Sequence, residues 1–244
     1  MLTVLRSPVD GADARGAARE FDPQIDDGLE RLHDEYRPPE PDWLRINLIV
    51  SVSGSAAGPD GTSESLTNRT DRRILGVIRR QADLVLVGAT SVRAEGYRIP
   101  SATTLGIVTG SGDLTGHRIE AHETARLVVF CPAAAAARVE ATLPGCTVVV
   151  VPDVDGRLDA ADILAAARAA GARTIVCEGG PSLAAQLAAI GAVDEVCLTT
   201  SPLLTGTTLP SLGAAAFTPV AMRPALLMVD GDGALYSRWL RRDR

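Results

Sequence analysis

The sequence predicts an α/β fold: a mostly parallel sheet covered by helices on both faces, closing in an antiparallel C-terminal hairpin. Two observations predict it. Short apolar runs alternate with helix-length segments from Leu44 to Ile190, the pattern of strand, crossover and parallel strand. Beyond Val193 the style changes, and the apolar runs Ala225–Val229 and Ala234–Leu240 bracket Asp230-Gly231-Asp232-Gly233, a hairpin turn signal. In such a sheet, ligands belong at the carboxyl ends of the parallel strands.

Taken in order, residues 1–42 carry mixed charge, scattered glycines and Arg37-Pro38-Pro39-Glu40-Pro41, and read as an extension with one short helix over Asp26–Tyr36. The domain proper runs from 43 to 244. Leu44–Val52 is a strand, followed by a long loop of glycine and hydroxyl residues to Ser65, and loops of that length tend to be functional. Thr67 or Asn68 can cap a helix in which Ile74, Leu75 and Ile78 recur at helical spacing. Leu84–Val87 is the next strand and ends in a glycine-flanked turn, Gly88 to Gly96, into a short helix. Strands follow at Leu105–Thr109, Arg126–Phe130 and Thr147–Val151. An alanine-rich helix over Asp159–Ala170 ends at Gly171.

The stretch that organises the chain is Arg173–Ile190, RTIVCEGGPSLAAQLAAI. Thr174–Cys177 is a buried strand, Glu178-Gly179-Gly180 stops it, and Pro181 and Ser182 open a helix closed by Gly191. The first N–H groups of a helix lack internal partners and point, with the positive end of the dipole, at whatever precedes them. Two glycines there let a phosphate approach the main chain. The same residues also read as an ordinary tight strand-to-helix connection, so the wider context decides.

Totals narrow the field. The chain of 244 residues is 46% apolar, ample for a sizeable core, and its net charge of −6 with 3% aromatics argues against nucleic-acid partners. Cys131, Cys146, Cys177 and Cys197 lie in or beside apolar runs without a CxxC pair, as expected of reduced core thiols in a cytoplasmic protein without a metal site. No stretch approaches the roughly 18 apolar residues of a membrane span, so no membrane partner is expected.

NLIVSVSG, GTSESLT, VIRRQAD, LVLVGATSVRAEGY, TIVCEGGPSLAAQL and VDEVCLTTSPLLTG, in that order over Trp43–Leu240, resemble the reductase domain of riboflavin biosynthesis. That domain forms the C-terminal part of bifunctional deaminase-reductases and the stand-alone pyrimidine reductases. The resemblance implies a three-layer dihydrofolate-reductase-like fold and NADPH as cofactor. It implies a phosphorylated pyrimidine substrate, 5-amino-6-(5-phosphoribosylamino)uracil, whose ribosyl group is reduced to ribityl, and a homodimer paired through the C-terminal sheet edge, with which the run Ala225–Val229 is compatible. The zinc signature of the deaminase partner is not in this sequence. By motif, Ser63, Arg79 and Glu178 correspond to substrate-binding positions. Ser65, Ser91 and Glu95 correspond to cofactor-side positions, and Gly179, Gly180, Pro181, Ser182 and Leu183 to the loop and helix start under the pyrophosphate.

Elementary chemistry agrees, with plain alternatives beside it. Arg79 offers a phosphate fixed paired donors, but arginines are mostly surface residues. Glu178 flanks a buried strand, where a carboxylate is costly without partners, and pyrimidine N–H groups would satisfy it. Ser63, Ser65 and Ser91 read equally as turn-forming hydroxyls, and Glu95 as a solvated charge. Two departures stand out. Where the family carries S-x-D-G after its first strand, this chain has Ser51-Val52-Ser53-Gly54, so a serine replaces the acid that faces the reaction centre. In the second glycine turn, Ser91, Glu95 and Tyr97 stand in for Thr, Asp and Pro. The catalytic group is therefore unassigned, and His33, His117 and His122 lie outside the matching segments. A dihydrofolate or pteridine reductase and a catalytically lapsed NADP-binding protein are the alternatives.

Overall fold

The computed structural model describes residues 1–6, 19–97, 99, 103–213 and 216–243. In chain order its elements are β1 (Leu2–Arg6), β2 (Arg19–Phe21), α1 (Asp26–Glu35), β3 (Trp43–Ser51), α2 (Arg69–Arg80), β4 (Leu84–Gly88), α3 (Ala89–Glu95), β5 (Thr104–Val108), β6 (Leu127–Cys131) and α4 (Ala136–Thr142). There follow β7 (Thr147–Val150), the small hairpin β8 (Asp153–Val154) and β9 (Arg157–Leu158), α5 (Ala160–Ala169), β10 (Thr174–Gly179), α6 (Pro181–Ala189), β11 (Glu195–Ser201), β12 (Met222–Asp230) and β13 (Leu235–Arg241). They form two compact units, one of residues 1–81, 193–211 and 219–244, the other of 82–192 and 212–218.

The first unit contains the antiparallel strands. β3 runs parallel to β11 in register from Arg45↔Glu195 to Ser51↔Ser201, and β11, β13, β12, β1 and β2 then pair antiparallel in that order. Its interior holds a buried ion cluster. Glu195 accepts from Arg45 Nη2 at 2.9 Å and Trp43 Nε1 at 2.7 Å on one oxygen, and from Arg238 Nε at 2.6 Å on the other. Burial alone would raise the Glu195 pKa, but the Arg45 and Arg238 guanidinium groups outweigh it and hold the carboxyl at about 2. The same arginines satisfy carbonyls at the C-terminal end of α1: Arg45 donates to Tyr36 O at 2.7 Å and Arg238 to Glu35 O and Arg37 O. This ties residues 35–37 to the sheet.

At the other end of β3, Asn68 rather than Thr67 caps α2, accepting from Asp71 N at 2.8 Å while its amide donates to Asp230 Oδ2 at 2.8 Å. Tyr236 Oη donates to the same Asp230 oxygen at 2.6 Å, so the hairpin turn and the helix start share one polar cluster.

The second unit is all parallel in its main sheet, in the order β10, β4, β5, β6, β7. β4 (LVLVG) and β10 (TIVCEG) are buried along most of their length, which is why they read as unbroken apolar runs rather than alternating ones. The parallel strands, intervening helices and antiparallel C-terminal strands are the arrangement that the sequence predicts.

Three expectations are corrected. Residues 1–42 contain two strands besides the helix, and β1 pairs with β12 through Leu2↔Asp230, Thr3↔Val229 and Val4↔Met228. The edge that the sequence offers to a second copy is therefore covered there by the chain's own N-terminus. In the strand Leu2 and Val4 are buried and Leu5 is exposed, and it is set by its pairing with β12. Cys146, just before β7, is half-buried, whereas Cys131, Cys177 and Cys197 are core thiols.

Candidate functional site

In the second unit the carboxyl ends of β4 and β10 lie side by side, Val87 paired with Gly179 after a register shift that follows Cys177. Each strand passes directly into a helix, β4 through Gly88 into α3 and β10 through Gly180 into α6, and neither helix has a side-chain cap. Gly179 has φ +128°, which L side chains rarely adopt, and the Gly179–Gly180 peptide is cis. A Cβ on Gly180 would stand 3.4 Å from Ser91 Oγ, and one on Gly88 would stand 3.4 Å from Gly180 N. The two turns thus leave main chain, a serine hydroxyl and an uncapped helix start together. A Cβ at either glycine would meet its neighbour at ordinary contact distance, so the cradle is open main chain, and its donor set suits a pyrophosphate. The residues fit an NADPH diphosphate.

Pro181 occupies the first turn of α6, Ser182 is exposed and Leu183 is buried. Gly213 N donates to Pro181 O at 2.8 Å, so the segment from 212 covers this helix start. Glu178, the last polar side chain before the glycines, is half-buried and accepts from Tyr97 Oη at 3.1 Å. Glu95 ends α3 on an exposed position. Beneath the turn, burial pushes the Cys177 thiol up to about 12, so it stays protonated and is no nucleophile.

Ser63, Ser65 and Arg79 belong to the first unit. Ser65 Oγ donates to Asp60 Oδ1 at 2.5 Å, and Asp60 also accepts from Thr62 N at 3.0 Å and Thr62 Oγ1 at 2.8 Å. Those bonds, the Ser65 one foremost, lower the Asp60 pKa. Ser65 thus braces its own loop. Ser63 is half-buried in that loop, and Arg79 is half-buried in the last turn of α2.

Where a serine replaces the expected acid, side chains not singled out by the sequence complete the picture. Ser53 Oγ lies 2.8 Å from Ser51 Oγ and donates to Thr205 O at 3.0 Å, while Thr205 Oγ1 and Thr207 Oγ1 extend the same cluster. The only hint was the hydroxyl density of TTSPLLTGTT, because the pairing of β3 with β11 is what brings residues 51 and 205 together. Tyr97 was noted only as a departure from the family pattern. Its contact with Glu178 spans 81 residues. Of the histidines, His33 lies in α1, its pKa lowered by burial and then by Arg80, and His117 accepts from Ile119 N.

Among the described residues no helix is long and apolar enough to cross a membrane. The chain's structure is similar to that of a pyrimidine reductase-like protein from Corynebacterium diphtheriae, at 23% identity and a TM-score of 0.71 over 82% of this chain and 92% of that one. A riboflavin biosynthesis reductase of Saccharomyces cerevisiae matches at 14% identity and a TM-score of 0.64, over 87% of this chain and 99% of the other. The bifunctional deaminase/reductase of Thermotoga maritima matches at 18% identity and a TM-score of 0.64 over 82% of this chain, which spans 57% of that longer protein. These likenesses show the fold, the mostly parallel α/β one with antiparallel C-terminal strands that the sequence predicts. No curated protein matches the chain. The family model described as the RibD C-terminal domain matches residues 42–236, and membership supports an oxidoreductase, a pyrimidine reductase of riboflavin synthesis, as the class of activity. The chain belongs to the RibD C-terminal domain family.

Proposed function

We propose that the chain is an NADPH-dependent reductase that converts the ribosyl group of 5-amino-6-(5-phosphoribosylamino)uracil to ribityl, acting in the cytoplasm. The observation that carries this reading is the paired glycine turn at the ends of β4 and β10, whose uncapped helix start and close-set main chain suit a dinucleotide diphosphate. When bound, NADPH supplies the hydride. The chain's own residues bind and orient: Gly179, Gly180, Pro181, Ser182 and Leu183 hold the diphosphate, Ser91 lies against Gly180, and Glu95 and Ser65 are cofactor-side positions by family correspondence. Glu178, steadied by Tyr97, accepts from pyrimidine N–H groups, and Arg79 and Ser63 are substrate-side positions by family correspondence.

Two measurements test the reading. Titration of the purified chain should give micromolar-range binding of NADPH and weaker binding of NADH. Steady-state oxidation of NADPH should then require the phosphoribosylaminouracil. Ser53 in place of the family's acid favours a second reading, a pteridine or dihydrofolate as substrate. Oxidation of NADPH with dihydrofolate and not with the phosphoribosylaminouracil would replace the first reading by the second. Tight binding with no turnover of either would mark a lapsed NADP-binding protein.

A further inference from the structure

The outer edge of the first unit's sheet is closed in steps. β12 pairs with β13 on one side, and along it runs Ala225–Val229, an uninterrupted apolar stretch. An open strand of that kind is a template for another strand, because its unpaired N–H and C=O groups can take up a ladder. β1 occupies this part of the edge. Its register runs from Leu2↔Asp230 through Thr3↔Val229 and Val4↔Met228 to Arg6↔Leu227, with Leu2 and Val4 buried.

Among the described residues the β1 register stops at Leu227, and the rest of β12 is blunted by other means. Pro224 has no N–H to offer, Arg223 is exposed, and the pairing with β13 shifts between Pro224 and Leu226, which bends the strand there. β1 is covered in its turn by β2, through Leu2↔Phe21, Thr3↔Glu20 and Val4↔Arg19. That outermost strand has only three residues, and Arg19 and Glu20 are exposed charges. Each part of the edge is thus paired, prolyl, or short and charged.

The chain after β2 is anchored. Arg73 of α2 donates from Nε to Pro23 O at 3.1 Å and from Nη2 to Gln24 O at 3.3 Å. A strand held in the same chain competes for β12 at an effective concentration on the order of millimolar, far above that of a dilute second copy.

We propose that β1 and β2 are an edge guard: β1 fills, within one chain, a strand-addition site on β12 whose alternative occupant is β12 of a second copy. The two copies of Ala225–Val229 would pair antiparallel about a two-fold axis, an arrangement in which one apolar stretch meets itself. The guard assigns a role to the N-terminal segment and goes beyond the reductase reading without resting on it.

Full-length chains carrying Leu2→Asp together with Val4→Asp test the guard, since carboxylates at two buried positions should release β1 from β12. Light scattering should give wild type a mass that does not change with concentration, while the double variant rises toward twice that mass. Hydrogen exchange locates the pairing. Amides of Leu227–Asp230 should be protected in wild type throughout, and in the double variant should exchange about 100-fold faster when dilute and regain protection as the mass rises. A folded double variant that keeps the wild-type mass overturns the guard, and so does association that leaves those amides unprotected. Should the double variant fail to fold, a disulfide decides: Thr3→Cys with Val229→Cys joins directly opposed residues and locks β1 in place. The oxidised chain should keep the wild-type mass. A wild-type oligomer that the lock dissociates would show second copies already using this edge, and would overturn the guard. None of these readouts uses NADPH or a substrate, so the reductase reading stands or falls separately.

Discussion

The two units differ in how they treat polar groups. In the first, side chains meet one another: Glu195 is enclosed by two arginines and a tryptophan, Asp230 by Asn68 and Tyr236, and strand-end Ser51 by Ser53 and Thr205. In the second, the strand ends present main chain, because Gly88, Gly179 and Gly180 have no side chains and α3 and α6 have no side-chain caps. A network of side chains gives position and direction to a few hydroxyls. Uncapped main chain gives a ready-made place for a charged ligand.

The contrast can be broken most forcefully at Glu195. Its replacement by Gln should cost about 3–5 kcal/mol of stability in urea unfolding, because two buried arginines lose their counter-charge. The pH dependence follows the same group. The folded pKa of about 2 lies below the unfolded value, so this contribution is complete above about pH 5 and lost as pH falls toward 2, and Glu195→Gln should flatten that slope. Next in size, Gly180→Asp sets a carboxylate where the diphosphate is proposed to rest. NADPH binding should weaken about 100-fold or more, about 3 kcal/mol, by fluorescence titration, and unchanged binding would remove the cofactor from this turn. Gly180→Ala, with its Cβ at 3.4 Å from Ser91 Oγ, should bind nearly as wild type, which separates charge from size.

Smaller effects sharpen the comparison. Tyr97→Phe removes the phenol proton from Glu178, so the substrate KM should rise several-fold, about 1 kcal/mol, while NADPH binding holds. A parallel loss of NADPH affinity would assign Glu178 to the cofactor instead. Ser65→Ala should change stability by less than about 1 kcal/mol, since Asp60 keeps its two bonds from Thr62. A large loss of NADPH affinity in that variant would show that Ser65 does more than brace its turn.

Much of this was legible before any coordinates. The strand, glycine turn and helix over Thr174–Ala189 stand out because periodicity, glycine and proline all act locally. Asn68 as a cap was one of two choices that local chemistry allowed, and the geometry selected it. β1 was missed because it lies apart from the alternating strand and helix pattern, and it is held by pairing with a strand more than 200 residues away.

The sequence by itself determined the alternation of strands and helices from β3 to α6, the parallel character of the apolar strands and the family, since each depends on neighbours along the chain. Only the tertiary structure decided which groups stand beside Ser53. A serine's chemistry depends on which oxygens stand beside it, and the pairing of β3 with β11 sets Thr205 and Ser51 there. It also decided that Tyr97 meets Glu178 and that Arg45 and Arg238 meet Glu195, because such contacts join residues 43 to 150 positions apart, where no local pattern reaches.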